Sequence, residues 1–264
     1  MLGSPIAHSL SPALHRAAYA ALGLPWTYDA IEVDESGLPA FLAGLDDSWV
    51  GLSLTMPLKE AVIDLLDEVD PLVLAINSVN TVLPAASGWR GVNTDVHGMT
   101  QALAQAGLVP PVPIGLVLGA GATSRSALAA MSRLGVGRVL LSARRAVAAQ
   151  SLLPVAEGFG MRAQVIDWER GTQAPGGVLA EVDVTVSTVP RDAGGAWADY
   201  ARGCAGALLD AAYHPWPTPL AVAWGGEVIA SGRDMLLWQA AEQVRLMTGM
   251  DAPVGAMRAA LPPV

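Results

Sequence analysis

The feature that most constrains this chain is an apolar run that ends on glycine. Ile114-Gly115-Leu116-Val117-Leu118 reads as a fully buried strand, and Gly119-Ala120-Gly121-Ala122-Thr123 follows it without a break. A helical pattern from Ser124 to Leu134 comes next. A strand buried on both faces needs parallel neighbours and helices above and below it, so this segment predicts an α/β layer built by repetition of the same unit.

The rest of the chain supplies that repetition. Val136–Ser142, Asp183–Ser187 and Ala207–Asp210 read as further strands, separated by helical stretches, and together they predict a doubly wound parallel sheet. Gly107 and the Pro110-Pro111-Val112-Pro113 stretch mark a boundary before this unit. The residues before it form a smaller α/β unit. Ser11 and Pro12 open a helix in which Ser11 can cap, with Leu14, Ala17, Ala18, Ala21 and Leu22 at helical spacing and Gly23 at its end. Trp26–Val33 and Trp49–Thr55 read as strands, and Ser36–Leu45 as a short helix. Val79–Leu83 and Trp89–Asn93 form a hairpin around Ala85-Ala86-Ser87-Gly88. A long helix from Arg233 to Met247 carries Gln239 near its middle.

Composition removes several classes of function. A net charge of −9 argues against a nucleic-acid partner, which needs a basic face. It leaves anionic small ligands open, since these need only local positive charge and oriented N–H groups. Mean hydropathy is +0.42, yet no run of about 18 apolar residues escapes interruption by Arg, Asp, Gly or Pro, so no membrane span is expected. The opening residues lack the basic and apolar regions of a secretory signal, and Cys204 is the single cysteine, which excludes an internal disulfide. A cytoplasmic protein is the expectation, with Cys204 a packed small residue. His8, His15, His97 and His214 show neither HExxH spacing nor a GxSxG companion, so they read as structural or rim residues.

The glycine turn suits a dinucleotide. Gly119 would make the tight turn, and Gly121 would let the backbone approach a pyrophosphate at the helix N-terminus. A GxG alone also fits a plain βα turn; the strand before it and the helix after it favour the nucleotide. The neighbouring strand ends Leu141-Ser142-Ala143-Arg144-Arg145, with no acid to take a ribose 2′-hydroxyl. Two guanidinium groups there suit a 2′-phosphate and so NADP(H), the alternative being a solvated Arg pair. Of 15 basic residues, Lys59 alone is lysine. It is therefore either a survivor of the Arg bias or a group that must give and take a proton. The three asparagines, Asn77, Asn80 and Asn93, all fall in one short segment.

Six segments then align in order with one family. They are Gly3-Ser4-Pro5-Ile6-Ala7-His8-Ser9-Leu10-Ser11-Pro12, Leu54-Thr55-Met56-Pro57-Leu58-Lys59, Asn77-Ser78-Val79-Asn80-Thr81, Asn93-Thr94-Asp95, the run from Asp210 to Leu220, and Met235-Leu236-Leu237-Trp238-Gln239. With the glycine turn between the fourth and fifth, the chain resembles the shikimate dehydrogenases over essentially its whole length. The resemblance implies NADP-dependent interconversion of 3-dehydroshikimate and shikimate. Ser9, Ser11 and Tyr213 would bind the substrate carboxylate, and Thr55, Asn80, Asp95 and Gln239 the ring hydroxyls. Lys59 and Asp95 would be the catalytic pair, Gly119, Ala120, Gly121, Ala122 and Thr123 the cofactor turn, and Arg144 with Arg145 the 2′-phosphate clamp. Residues 1–98 and 233–264 would form the substrate domain and residues 99–232 the cofactor domain, in a monomer or homodimer with a cleft between the domains.

The chain departs from the family pattern in three places. Only Leu2 and Gly3 stand where a full strand is usual before the first motif, so either the start is truncated or the strand is shortened, which touches the sheet edge. Ser53 stands where Asn is common, which changes the hydrogen bonding there. Ala143-Arg144-Arg145 replaces an Asn-Arg-Thr loop. Two rival readings follow. One is a quinate or aminoshikimate dehydrogenase of the same family, against which the retained Ser11 speaks. The other is a catalytically silent NADPH-binding sensor, against which the Lys59–Asp95 pair speaks.

Overall fold

The computed structural model describes residues 1–169 and 178–263, and these divide into two units. One comprises Met1–Asp95 with Leu236–Pro263, the other Val96–Met235.

In chain order the first unit begins with β1 (Leu2–Gly3), α1 (Ser11–Ala21), β2 (Ile31–Glu32), α2 (Leu38–Ala43), β3 (Leu52–Ser53) and α3 (Leu58–Ala61). It continues with β4 (Glu68–Val69), α4 (Pro71–Ile76), β5 (Thr81–Ala85) and β6 (Gly88–Val92), and α5 (Asp95–Gln105) leads out of it. β5 and β6 are the expected antiparallel hairpin, β3 pairs antiparallel with β5, and β4 lies parallel to β6.

Short as it is, β1 is no edge. It runs parallel to β2, with the Ile31 amide donating to the Met1 carbonyl at 2.9 Å. On its other side the Thr55 amide donates to the Leu2 carbonyl at 3.0 Å and Ser4 to Met56 at 3.1 Å. Leu2 is fully buried. Gly3 leaves room for what lies beside it: a Cβ there would stand 2.4 Å from the Thr55 methyl.

The stretch before β2 is less regular than the alternation predicts. Trp26 and Tyr28 use their rings instead of a strand ladder: Trp26 meets Tyr19 edge-on at 5.4 Å, and Tyr28 stacks on His15 at 4.0 Å. Helices cover the sheet in two clusters. Leu38, Leu42, Leu58, Val62 and Val73 pack with Leu52, Val79 and Val82; Leu14, Ala18 and Tyr19 of α1 pack with Leu237, Ala240, Ala241 and Val244.

The second unit contains β7 (Ile114–Leu118), α6 (Ala122–Arg133), β8 (Arg138–Ser142), α7 (Ala146–Gln150), α8 (Leu153–Gly158) and β9 (Arg162–Val165). There follow β10 (Val184–Ser187), α9 (Arg191–Ala201), β11 (Ala207–Asp210), α10 (Pro219–Ala223) and β12 (Ile229–Ser231). Its sheet has the order β12-β11-β10-β7-β8-β9, and every pairing is parallel. The first strand in sequence, β7, is therefore central, and the strand order reverses between β7 and β10. This is the doubly wound Rossmann-like arrangement, in which ligands sit beyond the carboxyl ends of the strands at the reversal. Trp197, Leu116, Leu118, Leu208 and Leu220 centre its core, and Cys204 is buried there with its thiol 2.6 Å from the Ala201 carbonyl.

The chain closes with α11 (Gly232–Thr248) and α12 (Val254–Ala259). No described helix is long and apolar enough to cross a membrane.

Candidate active site

In the first unit a buried polar cluster forms where β5, the residues after β6 and α11 converge. Asp95 is the first residue of α5. Oδ2 accepts from Lys59 Nζ at 2.5 Å and Oδ1 from Asn80 Nδ2 at 2.8 Å. The Asp95 side chain is 4% exposed and that of Lys59 14%, so the pair is screened little by solvent. Asn80 has both ends engaged. Its Oδ1 accepts the Thr94 amide at 2.8 Å, and Nδ2 lies 2.9 Å from Thr94 Oγ1 and 3.3 Å from Gln239 Oε1. Lys59, Asn80, Asp95 and Gln239, named from the sequence, are thus one hydrogen-bonded group.

Helix periodicity explains how α11 contributes. Leu237, Ala240, Ala241 and Val244 lie on its apolar face, while Leu236, Gln239 and Gln243 share another stripe at spacings of three and four residues. Thr55 follows β3 and is half-buried beside Gly3, and its hydroxyl has no partner among the described residues.

Ser11 is corrected as a cap. It is the first residue inside α1, Leu10 holds the cap position, and no side chain caps the helix from there. The free Ser11 amide donates instead to Ser9 Oγ at 3.2 Å, which ties the two serines together before the helix. One turn on, the imidazole of His15 donates through Nδ1 to the Ser11 carbonyl at 3.0 Å. Nε2 is buried with no hydrogen-bond partner, and burial brings the His15 pKa down from 6.5 to about 4. His15 is thus a neutral structural residue that holds the start of α1.

In the second unit the glycine turn lies at the strand-order reversal. Gly119 has φ +111°, and a Cβ there would stand 2.3 Å from Thr188 Oγ1, so only glycine fits. Gly121 takes the cap position of α6, and its amide donates to Ser124 Oγ at 3.1 Å. Ser124 donates in turn to Thr188 Oγ1 at 2.7 Å, because the Thr188 hydroxyl hydrogen goes to the Leu118 carbonyl at 3.0 Å. A cavity of about 590 Å³ opens here, lined by Gly119, Ala120, Gly121, Arg144, Arg145 and Thr188 among others. Ala122 and Thr123 begin α6.

Arg144 and Arg145 follow β8, exposed and without an ion-pair partner among the described residues. A turn in which Gly119 leaves no room for a Cβ, a helix N-terminus and two exposed guanidinium groups at one cavity fit a dinucleotide with an extra phosphate.

Tyr213 stands on the loop after β11. Burial pushes its phenol up, which keeps it a neutral O–H donor at neutral pH. Asp210 closes that loop: its Oδ2 accepts from Thr218 Oγ1 at 2.6 Å, and Thr218 in turn caps α10 by accepting the Ala221 amide at 3.1 Å.

The model of the shikimate dehydrogenase substrate-binding domain matches residues 1–82, and that of the shikimate 5′-dehydrogenase C-terminal domain matches residues 232–261. The NADP(+) shikimate dehydrogenase of Moorella thermoacetica is 35% identical, with 97% of this chain and 90% of the relative aligned.

The chain belongs to the shikimate dehydrogenase family.

Solved members agree with that placement. The shikimate 5-dehydrogenase of Mycobacterium fortuitum is 44% identical with a TM-score of 0.88, over 99% of this chain and 96% of that one. The Thermus thermophilus enzyme, solved with NADP(H) and shikimate, is 32% identical with a TM-score of 0.80 over 98% of both chains.

Sequence reading passed over several residues that the fold brings to these clusters. Thr94 and Thr81 carry no signal beyond being next to named residues. Ser124 and Thr188 meet only because β10 lies beside β7, and Gln243 is visible in the sequence only as the residue one turn after Gln239.

Proposed function

We propose that this chain is an NADP-dependent shikimate dehydrogenase that reduces the ring ketone of 3-dehydroshikimate to the alcohol of shikimate, and catalyses the reverse. The observation that carries the reading is the buried Lys59–Asp95 pair, set among the short polar side chains that a polyol ring requires.

In the proposed complex the first unit takes shikimate and the second takes NADP(H). The hydroxyls of Ser9 and Ser11 meet the substrate carboxylate, with the Tyr213 phenol as a further donor. Thr55, Asn80, Asp95 and Gln239 hold the ring hydroxyls. Backbone amides at Gly119–Thr123 face the pyrophosphate, and Arg144 with Arg145 meets the 2′-phosphate.

Bound NADPH supplies the hydride. Negative charge then develops on the former ketone oxygen, and the Lys59 ammonium stabilises it and donates a proton. Asp95 accepts a hydrogen bond from Lys59 throughout, which aims Nζ at the reacting oxygen. In the oxidative direction the Lys59 amine would take the hydroxyl proton as the carbon gives its hydride to NADP. The proposal includes a cytoplasmic setting, supported by the absence of any possible internal disulfide. It also includes a monomer or homodimer, which light scattering would distinguish.

The test follows absorbance of the reduced nicotinamide with shikimate or quinate, each offered with NADP or NAD. Rapid reduction with shikimate and NADP is the expected result. Binding of NADPH without turnover of either acid would replace the enzyme by a silent sensor.

A further inference from the structure

Running into the polar cluster is a line of buried groups of which Tyr28, Ser53, Thr81 and Gln243 have no part in the mechanism above. Tyr28 Oη donates to Ser53 Oγ at 2.7 Å, and Ser53 Oγ donates to Gln243 Oε1 at 2.9 Å. Gln243 Nε2 donates to Thr81 Oγ1 at 2.8 Å and to the Asn80 carbonyl at 3.2 Å. Thr81 Oγ1 then donates to Asn80 Oδ1 at 2.9 Å, and Asn80 Nδ2 donates to Asp95. Four side chains in the line, Ser53, Asn80, Thr81 and Gln243, are at most 4% exposed.

The line has one direction. The Asn80 carbonyl can only accept, so the Gln243 amide must present Nε2 to it and Oε1 to Ser53. Ser53 is thereby fixed as the donor to Gln243, which leaves it to accept from Tyr28. Burial holds the Tyr28 phenol protonated, as that role requires. At the other end the Thr94 amide can only donate, which fixes Asn80 with Oδ1 towards Thr94 and Thr81 and Nδ2 towards Asp95. Every amide in the path is therefore oriented by a backbone group of fixed polarity, and the chain of donors ends on the carboxylate that aims Lys59.

We infer that Gln243 is a positioning residue for the Lys59–Asp95 pair, acting through Thr81 and Asn80, with Ser53 and Tyr28 holding its amide in place. It touches neither reacting group. Its reach comes from α11, one turn beyond Gln239, so the same helix that brings a ring-hydroxyl partner also fixes the acid–base pair. Buried hydrogen bonds in such a line polarise one another, and a donor removed from it leaves an acceptor with no water to replace it. The inference rests on the proposed dehydrogenase function.

The test measures kcat, both KM values and the melting temperature of full-length Gln243→Met, Ser53→Ala and Tyr28→Phe. Methionine keeps the volume and flexibility of glutamine but donates nothing. Gln243→Met is expected to lower kcat about tenfold, with KM for NADP within about twofold of the parent. Ser53→Ala and Tyr28→Phe are expected to lower kcat by smaller factors in that order. A parental kcat in Gln243→Met, whatever its melting temperature, overturns the inference and leaves a purely structural glutamine. A raised KM for shikimate at unchanged kcat overturns it too, since that marks ground-state binding. Should Gln243→Met fail to fold, Ser53→Ala decides, and a parental kcat there overturns the inference. A parent that never turns over shikimate overturns the function itself, a separate outcome.

Discussion

Lys59 is the only lysine among 15 basic residues, and its ammonium meets a carboxylate that is almost wholly out of water. Arginine could pair as well but could not release a proton at accessible pH. Lys59→Ala should lower kcat by about 10² to 10⁴-fold while leaving NADPH binding, followed by nicotinamide fluorescence, near the parental value. A loss of cofactor binding as large as the loss of turnover would contradict that division of labour. His15 offers a second test at this scale. Its folded pKa of about 4 lies below the ordinary 6.5, so the unfolded chain binds the proton more readily. The stability that neutral His15 contributes is full above pH 6.5 and is lost as pH falls towards 4, at up to about 1.4 kcal/mol per pH unit. His15→Phe keeps a ring against Tyr28 and removes the titration. Urea unfolding from pH 7 to pH 4 should show a shallower decline in the variant than in the parent; parallel declines would assign the acid sensitivity elsewhere.

At the scale of elements, α11 links packing to chemistry. Its apolar stripe buries Leu237 and Val244 against α1, and the register of that stripe sets where Gln239 and Gln243 point. Leu237 is fully buried, so Leu237→Ala should cost about 2–5 kcal/mol of stability in denaturant unfolding. Shikimate turnover well below the melting temperature should also fall, because the glutamines lose their fixed height. β1 shows how little sequence an element needs: two residues suffice because both of its edges are hydrogen-bonded and Leu2 is buried. The residues of β1 give no sign of those neighbours, because a strand's partners lie far away in sequence. The predicted strand at Trp26–Val33 was too long for a related reason: alternation did not reveal that Trp26 and Tyr28 would be drawn to the aromatic groups of α1.

At the scale of the whole molecule, the two units carry different ligands in the proposed function, and hydrogen exchange should separate them. Shikimate should slow exchange at residues 80–82, 94–96 and 236–243, and NADPH at 118–125, 142–146 and 188–190. Protection by shikimate confined to the second set would reverse the assignment. Each ligand should also raise the melting temperature, by an amount equivalent to about 2.7 kcal/mol at a hundredfold excess over its Kd.

Residue types and their order were enough to determine the α/β class, the glycine turn, the Arg pair and the singularity of Lys59. Each of these rests on local chemistry: a φ only glycine adopts, a charge with no acid beside it, a lysine where arginine is the rule. The order of six short motifs was also sufficient for the family resemblance, and Asn80, Asp95 and Gln239 were singled out through it. Tertiary structure alone decided which groups share a hydrogen. Thr188 reaches Ser124 through the pairing of β10 with β7, and Gln243 reaches Thr81 and Ser53 across more than 160 residues of sequence. Such contacts depend on strand order and helix rotation, which are set by the burial of apolar faces and leave no local signal in the polar residues they bring together.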